Sequence, residues 1–315
     1  MVKRFTYIDN LRGFLILLVI LGHCIQCIDT DFDHNIIFRY IYSFHMPLFM
    51  FISGFVSFKE NYEWSSVKKR FFQLIIPFMA WAMLGMTISG NYNWIWLTKP
   101  DTALWFLWVL FWIGCAHIGI SKLGKRLNIS DEIIMVIATI VFLCLLLISK
   151  FSFGFHLFAW YLPFYFAGVI TRKYSIILDR LDKFKWTFLL TFVVLGFFWM
   201  RKESPTFMHS NSMSTIYSYK IIVGFIGCYT FILIARLHNH KLLYISELGG
   251  VMTLGIYAIH QLVIKYLVSF NTLFNYSLPL WLYVCLVFLL TLGITLILYK
   301  ILSHIKFLSR LFLGK

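Results

Sequence analysis

Near its N-terminus the chain reads Leu11-Arg12-Gly13-Phe14-Leu15-Ile16-Leu17-Leu18-Val19-Ile20-Leu21-Gly22-His23. This run predicts a helix that lies in a hydrocarbon environment. Arg12 and His23 are eleven positions apart, which is close to three helical turns and about 16 Å along the axis. Both side chains therefore lie on one face of the predicted helix. Ionisable side chains inside a membrane segment are costly, so this pair indicates a functional cavity.

The composition extends this conclusion to the whole chain. Of the 315 residues, 60% are hydrophobic, 20% aromatic and only 13% charged, which exceeds what an ordinary soluble domain carries. We predict an all-α, polytopic membrane protein with about ten transmembrane helices. The expected spans are 11–28, 36–58, 71–89, 103–120, 133–149, 155–170, 187–200, 219–235, 251–270 and 279–302.

The excess of 28 Lys and Arg over 13 Asp and Glu is distributed as a membrane topology signal. With the N-terminus inside, nineteen basic residues fall in the inner connections, and the outer ones hold only Lys99, Lys150, Arg201 and Lys202. The positive-inside rule then places both termini in the cytoplasm. Because topology accounts for the basic charge, we expect no nucleic-acid partner.

No long linker or soluble insertion interrupts the predicted spans, so we predict a single membrane domain over residues 1–315. Ser53-Gly54 and Gly249-Gly250 are most simply close helix-packing positions or helix-end breaks.

Two further histidines, His45 and His260, are predicted at nearly the same membrane depth as His23. A lone buried histidine is more often part of the hydrogen-bonded structure than a catalyst. Three at one depth, with one of them in phase with Arg12, favour a polar cavity. Trp105 lies in an aromatic cluster that is typical of a membrane interface, although such a ring also suits a sugar.

A neutral imidazole in such a cavity is suited to remove the proton of a hydroxyl group. Acyl transfer to that hydroxyl also needs a thioester donor, and the commonest donor carries phosphates. Lys68-Lys69-Arg70, directly before the third predicted span, supplies clustered positive charge on the cytoplasmic side. Taken alone, this triplet is more simply a positive-inside anchor.

These elements together resemble the integral-membrane acyltransferase family 3, in the branch of fucose 4-O-acetylases and other surface-glycan O-acetyltransferases. The matching motifs are Tyr7-Ile8-Asp9-Asn10-Leu11-Arg12-Gly13 running to Gly22-His23, Phe44-His45-Met46-Pro47-Leu48, Ser53-Gly54-Phe55, Lys68-Lys69-Arg70 with Pro77, Leu104-Trp105-Phe106-Leu107, Tyr161-Leu162-Pro163 running to Gly168, and Gly255-Ile256-Tyr257-Ala258-Ile259-His260. The sequence departs from the family at Lys68, where Arg is usual, and at Thr253, where Ser is common.

The resemblance implies a ten-helix enzyme that moves an acyl group, most often acetyl, from cytoplasmic acyl-CoA to a carbohydrate hydroxyl. It implies His23 as the catalytic base, with Arg12 and Asp9 in the catalytic site. Lys68, Lys69 and Arg70, together with Arg12, would bind the donor. Acetyl-CoA is the expected co-substrate, and no metal is expected. A bacterial plasma-membrane location is implied, with the lipid bilayer, a carbohydrate acceptor and envelope-glycan biosynthesis proteins as partners.

Supporting or acceptor-binding roles are expected for His45, Ser53, Trp105, Tyr257 and His260. Two questions stay open at this stage. A covalent acyl-histidine intermediate is an alternative to general-base catalysis. A proton-coupled exporter or flippase, with the same residues forming a relay, is an alternative to an enzyme.

Overall fold

A computed structural model describes residues 5–90, 104–148, 153–208, 210, 212–237, 242–274 and 278–315. Within these ranges every regular element is a helix, which confirms the all-α prediction. The α-helices are α1 Thr6–Ile28, α2 Ile36–Ser57, α3 Ser65–Arg70, α4 Ile76–Ser89, α5 Trp105–Leu127, α6 Asp131–Ile148, α7 Phe155–Lys173, α8 Ile176–Leu181, α9 Lys185–Phe197, α10 Met213–Leu237, α11 Leu243–Glu247, α12 Thr253–Phe274, α13 Leu280–His304 and α14 Lys306–Leu313. Two π-helices, Phe71–Ile75 and Leu248–Met252, connect α3 to α4 and α11 to α12.

A helix occupies each of the ten predicted span positions. Among the described residues, six helical segments are long and apolar enough to cross a membrane, and a seventh counts if the bent pair Tyr244–Gly250 and Thr253–Ser269 is one span. The chain is thus a polytopic membrane protein by its helices, while the number ten stays a prediction. Helix α9 has 13 residues, fewer than the ~20 that a straight span requires.

Local sequence determines several helix ends. The carboxamide oxygen of Asn35 accepts hydrogen bonds from the backbone N–H groups of Ile37 (3.1 Å) and Phe38 (3.3 Å), which caps the start of α2. Helix α4 ends at Gly90, which has a φ of 65°, a left-handed conformation that glycine adopts without strain. These caps explain why α2 begins and α4 ends where the sequence predicted.

The chain divides into two compact units. Unit 1 comprises Met1–Phe49 and Ile176–Ile301, and unit 2 comprises Met50–Ser175 and Leu302–Lys315. In unit 1, α1 packs against α10, α11, α12 and the π-helix Leu248–Met252. In unit 2, α7 packs against α5 and α6, and α14 packs against α4. The single-domain prediction for 1–315 stays a prediction.

Polar contacts between loops agree with the predicted alternation of sides. In unit 1, Arg201 binds Asp33, which joins two connections that were both predicted to be outside, and Arg236 binds Asp179 (2.6 Å), which joins two predicted to be inside. In unit 2, Lys173 forms an ion pair with Glu132, both at predicted inner ends. The alternation along the chain is therefore consistent with the packing in each unit.

The ion pair between Asp33 and Arg201 makes stability depend on pH. Arg201 donates from Nε to Oδ1 (2.7 Å) and from a terminal nitrogen to Oδ2 (3.0 Å), and these hydrogen bonds hold the pKa of Asp33 below its ordinary value of 3.8. Because Asp33 has a lower pKa in the folded protein than in the unfolded chain, its ionised form stabilises the fold above pH 3.8. This contribution is lost as the pH falls through the lowered pKa. We expect Asp33→Asn to cost about 1 kcal/mol at pH 7 and progressively less in acid, measured by thermal unfolding in detergent.

Asp31→Asn is the matched control, because the Asp31 side chain is 75% exposed and pairs with His34, which is exposed as well. We expect this variant to unfold at the same temperature as the wild type at pH 7 and at pH 3. An equal cost of Asp33→Asn at pH 7 and pH 3 would contradict the assigned ion pair.

Glycines allow backbone-to-backbone contact at two helix crossings. A Cβ atom on Gly54 of α2 would lie 1.9 Å from the carbonyl oxygen of Tyr165, and a Cβ on Gly168 of α7 would lie 1.9 Å from that of Phe51. In unit 1, a Cβ on Gly249 would lie 1.8 Å from the carbonyl oxygen of Asp9. The prediction of close packing at Gly54 and Gly249 is confirmed.

Candidate functional site

Helix α1 runs without interruption from Thr6 to Ile28, so the three-turn phase between Arg12 and His23 is preserved. Its first turns are held against the segment from Ile245 to Gly249. A Cβ on Gly13 would lie 1.9 Å from the carbonyl oxygen of Ile245, which adds to the contact at Asp9 and Gly249. Asp9 is buried and Arg12 is half-buried at this crossing. Close packing at these two glycines thus holds the first turns of the helix that carries both predicted catalytic residues.

His23 is held on both ring nitrogens by glutamine side chains. Its Nδ1–H donates to Oε1 of Gln26 (3.1 Å), one turn further along α1. The amide nitrogen of Gln261, on α12, lies 3.4 Å from Nε2 and donates to it. A neutral imidazole carries one proton, so this arrangement leaves the lone pair on Nε2. Nε2 is therefore the ring nitrogen of His23 that can accept a proton.

The structure brings His45 and His260 close to His23. The ring centroids of His23 and His260 are 5.2 Å apart. The ring of Tyr42 lies 6.4 Å from that of His23 and 4.8 Å from that of His45. All four side chains belong to unit 1, so this cluster of three histidines and Tyr42, which we call the histidine cluster, lies within one packed body.

His45 and His260 share a hydrogen-bonding state. Nδ1 of His45 donates to the carbonyl oxygen of Ile41 (2.7 Å), and Nδ1 of His260 donates to that of Ile256 (3.1 Å). Each ring therefore offers only an acceptor at Nε2. The Nε2 atom of His260 is buried and has no partner among the described residues. Two such rings are able to accept hydrogen bonds from hydroxyl groups but, while neutral, unable to donate one to an oxyanion.

Three members of this site were missed by sequence reasoning. Gln26 and Gln261 are amides next to or near predicted site histidines, and Tyr42 lies three residues before His45. The available signal in the sequence was a polar side chain within one helical turn of a predicted site histidine. Tyr257, which was predicted, is buried with its ring 5.9 Å from that of His260.

The three basic residues predicted to bind a donor differ in their surroundings. Lys68 and Lys69 are exposed on α3, whereas Arg70 is half-buried. A terminal nitrogen of Arg70 donates to the hydroxyl of Tyr165 (3.3 Å), and its guanidinium lies against Gly114, where a Cβ would approach within 2.4 Å. The π-helix Phe71–Ile75 follows immediately. Arg70 is thus the member of the triplet that is fixed in position within unit 2.

His117 adjoins this arginine site and is buried, with 1% of its surface exposed. Its Nδ1 lies 3.3 Å from the Tyr165 hydroxyl, and its ring packs 4.7 Å from that of Tyr62. His117 and Tyr62 also line a pocket of about 230 Å³ whose charged residues are mixed in sign. These are Lys59, Glu60, Asp131, Glu132 and Lys173.

Trp105 and Ser53 also lie in unit 2. The indole of Trp105 stacks on Tyr161 with centroids 5.0 Å apart and planes at 16°, so one face of the ring is covered. Ser53 is half-buried beside the Gly54 crossing. Among the described residues, no group of three or more His, Cys, Asp or Glu side chains is placed to hold a metal ion.

Comparison with known families identifies the family of this chain. The model of a family described as an acyltransferase domain, acyltransferase 3, matches residues 5–300. The chain belongs to the acyltransferase 3 family. The match includes Arg12, the histidine cluster and Arg70, and it confirms the resemblance found in the sequence motifs.

Two relatives of this acyltransferase 3 member carry the name nodulation protein NolL. The protein from Mesorhizobium japonicum is 30% identical over 210 residues, which are 60% of this chain and 54% of the relative. The protein from Sinorhizobium fredii is 32% identical over 150 residues, 42% of this chain and 40% of the relative. The chain thus matches about half the length of these relatives. No solved structure matches it.

The two departures from the family motifs have different structural consequences. Thr253 keeps the hydroxyl that Ser would provide, and that hydroxyl donates to the carbonyl oxygens of Leu248 and Gly249, both at 2.8 Å. It therefore satisfies carbonyl groups of the π-helix before α12. Lys68, by contrast, is exposed. Lys in place of Arg there keeps the positive charge but replaces the planar guanidinium with a single ammonium group.

Proposed function

We propose that this acyltransferase 3 member is a membrane O-acyltransferase that moves an acyl group, most often acetyl, from cytoplasmic acyl-CoA to a hydroxyl of a cell-surface or secreted carbohydrate. The observation that carries the proposal is the state of His23. Its Nδ1–H is held by Gln26, and its Nε2 carries the lone pair inside the histidine cluster. A base at this position is what hydroxyl activation requires.

In the proposed reaction, Nε2 of His23 takes the proton of the acceptor hydroxyl. The oxygen attacks the thioester carbonyl carbon, a new C–O bond forms, and the C–S bond breaks. The leaving thiolate then recovers the proton from His23, so the enzyme returns to its starting state. The covalent route, in which His23 itself receives the acyl group, uses the same lone pair.

Arg12 and Asp9 are assigned to the donor side of the reaction. Arg12 is three turns from His23 on the same face of α1, and Asp9 lies one turn before it. A guanidinium at this position is suited to hold the donor. The rise of about 16 Å along the helix to His23 places it too far away to stabilise charge on a thioester that reacts at Nε2. Asp9 would orient the guanidinium.

His45 and His260 are assigned to the acceptor. Since both neutral rings offer only Nε2 as an acceptor, they suit the positioning of hydroxyl groups better than the polarisation of the thioester. Tyr257 supports His260 through packing. Ser53 and Trp105, which belong to unit 2, are assigned supporting roles in binding the acceptor.

Arg70, Lys68 and Lys69 are assigned to the phosphates of the donor, with Arg70 as the principal contact because Tyr165 and Gly114 fix its position. A fixed guanidinium binds phosphate oxygens bidentately, which an exposed lysine cannot do. We assign no ligand to the neighbouring mixed-charge pocket, since its acidic residues disfavour phosphate.

The proposed setting is the bacterial plasma membrane, with both termini in the cytoplasm and envelope-glycan biosynthesis proteins as partners. The distribution of basic residues and the bacterial relatives support this setting. Its test is mass analysis of surface glycans from cells with and without the protein. We expect an acyl substituent to disappear in its absence, and an identical set of glycans would contradict the proposal.

Arg70→Ala is expected to raise the KM for acetyl-CoA by about 10–100-fold, the value of one hydrogen bond to a charged group. The effect on kcat should be much smaller, because the donor phosphates are not at the reacting carbonyl. Steady-state kinetics with the purified protein in lipid would measure both constants.

Lys306→Ala is the matched control, since Lys306 is exposed on α14 in the same unit. We expect it to leave the KM unchanged. If Arg70→Ala reduced kcat alone, the assignment of Arg70 to donor binding would be wrong.

A further inference from the structure

The side chain of Gln26 occupies the place next to His23 where a general base needs an orienting partner. We propose that Gln26, held by Tyr42, is the positioning residue that fixes His23 with its proton on Nδ1 and its lone pair on Nε2. This inference rests on the proposed function for its consequence in catalysis. The hydrogen-bonding geometry that carries it stands independently.

Gln26 Oε1 accepts two hydrogen bonds. One comes from Nδ1–H of His23 (3.1 Å) and the other from the hydroxyl of Tyr42 (2.9 Å). In the structure the amide oxygen of Gln26, and not its nitrogen, faces Nδ1 of His23. An oxygen can only accept, so the proton of the neutral ring lies on Nδ1. Tyr42 supports this orientation of the amide by donating to the same oxygen.

Tyr42 is itself anchored. Its ring stacks on that of Phe38 with centroids 3.9 Å apart and planes at 27°, and Phe38 is fully buried. Phe38 and Tyr42 are one turn apart on α2, whereas Gln26 and His23 are one turn apart on α1. The positioning device therefore connects two helices of unit 1 and does not depend on a flexible loop.

The amide also has an electrostatic consequence. A carboxylate in its place would stabilise the imidazolium and keep His23 protonated, and therefore inactive as a base, up to a higher pH. A neutral amide orients the ring without holding a second proton. The titratable groups around His23 among the described residues are His45 and Tyr42 from α2, His260 from α12 and Cys27 from α1. The positive charge of Arg201 also acts on Tyr42.

Gln26→Glu tests the device through the pH dependence of acyl transfer. We expect the acidic limb of the pH–rate profile to move upward by about 1–2 pH units, as an opposite charge beside an ionisable group produces. Gln26→Leu and Tyr42→Phe should each lower kcat by about tenfold, which is the value of one hydrogen bond, with the KM for the donor unchanged. A pH profile that stays in place in Gln26→Glu would overturn the proposal.

Gln73→Glu is the matched control, since it makes the same chemical change on an exposed side chain of unit 2. We expect it to leave the pH profile where it is. An equal shift in Gln73→Glu would show that added negative charge alone is responsible, which would overturn the role of Gln26.

A second measurement separates this inference from the proposed function. Nitrogen-15 NMR of histidine-labelled protein in lipid, with His23 assigned from the His23→Gln spectrum, reports which ring nitrogen is protonated without any acyl transfer. We expect Nδ1–H in the wild type and a population with Nε2–H in Gln26→Leu. Nε2–H in the wild type would overturn the inference, whatever the enzyme acylates.

Discussion

His23→Ala should reduce acyl transfer by about 10²–10⁴-fold, the range that a positioned general base contributes. The substitution removes Nε2 of His23, the nitrogen assigned to take the proton, and leaves Gln26 and Gln261 without their shared partner. His45 and His260 occupy other positions in the histidine cluster, so neither is expected to substitute for it. The measurement is the rate of acyl transfer by purified protein in reconstituted membranes.

His156→Ala is the control for this experiment, because His156 lies in the first turn of α7 in unit 2 and belongs to neither the histidine cluster nor the Arg70 site. It should retain wild-type activity. Full activity of His23→Ala at normal protein levels would contradict both the general-base and the covalent route.

Gly54→Ala and Gly168→Ala should each destabilise the protein by about 1–3 kcal/mol, which is the usual cost of overpacking. The added methyl group would meet backbone carbonyl oxygens of Tyr165 and Phe51 at 1.9 Å, and backbone atoms of packed helices have little freedom to move away. Helices α2 and α7 would have to separate. We expect lower thermal unfolding midpoints in detergent and lower yields of folded protein.

Gly293→Ala makes the same change where a Cβ would meet nothing within 4 Å. Since Gly293 lies inside α13, alanine there should stabilise the helix by about 0.5–1 kcal/mol. We therefore expect Gly54→Ala to lower the thermal unfolding midpoint and Gly293→Ala to raise it. Equal unfolding midpoints for Gly54→Ala and Gly293→Ala would contradict the close contact between α2 and α7.

The sequence predicted the positions of the helices well because long apolar segments favour membrane helices. A helix was found at each predicted span, and the loop contacts of Arg201 and Arg236 agree with the alternation inferred from charge. The two π-helices were not predicted. Their hydrogen-bonding pattern depends on packing, as at Gly249 against Asp9, and leaves no period in the sequence that differs from an α-helix.

The candidate site was predicted in part. Their spacing identified Arg12 and His23 as candidate site residues. The predicted membrane depth added His45 and His260. Gln26, Tyr42 and Gln261 were missed, because an amide or a tyrosine in a membrane helix carries no charge to attract notice. Their roles depend on contacts across helices, such as that of Gln261 with His23 over 238 positions, which no local pattern reveals.

The most direct test of the central claim is transfer of label from radiolabelled acetyl-CoA to a surface glycan by the purified protein in lipid vesicles. We predict that label appears on the glycan with the wild-type protein and that it remains on the donor with His23→Ala. Glycan that crosses the membrane chemically unchanged, with all label still on coenzyme A, would contradict the enzyme and support an exporter.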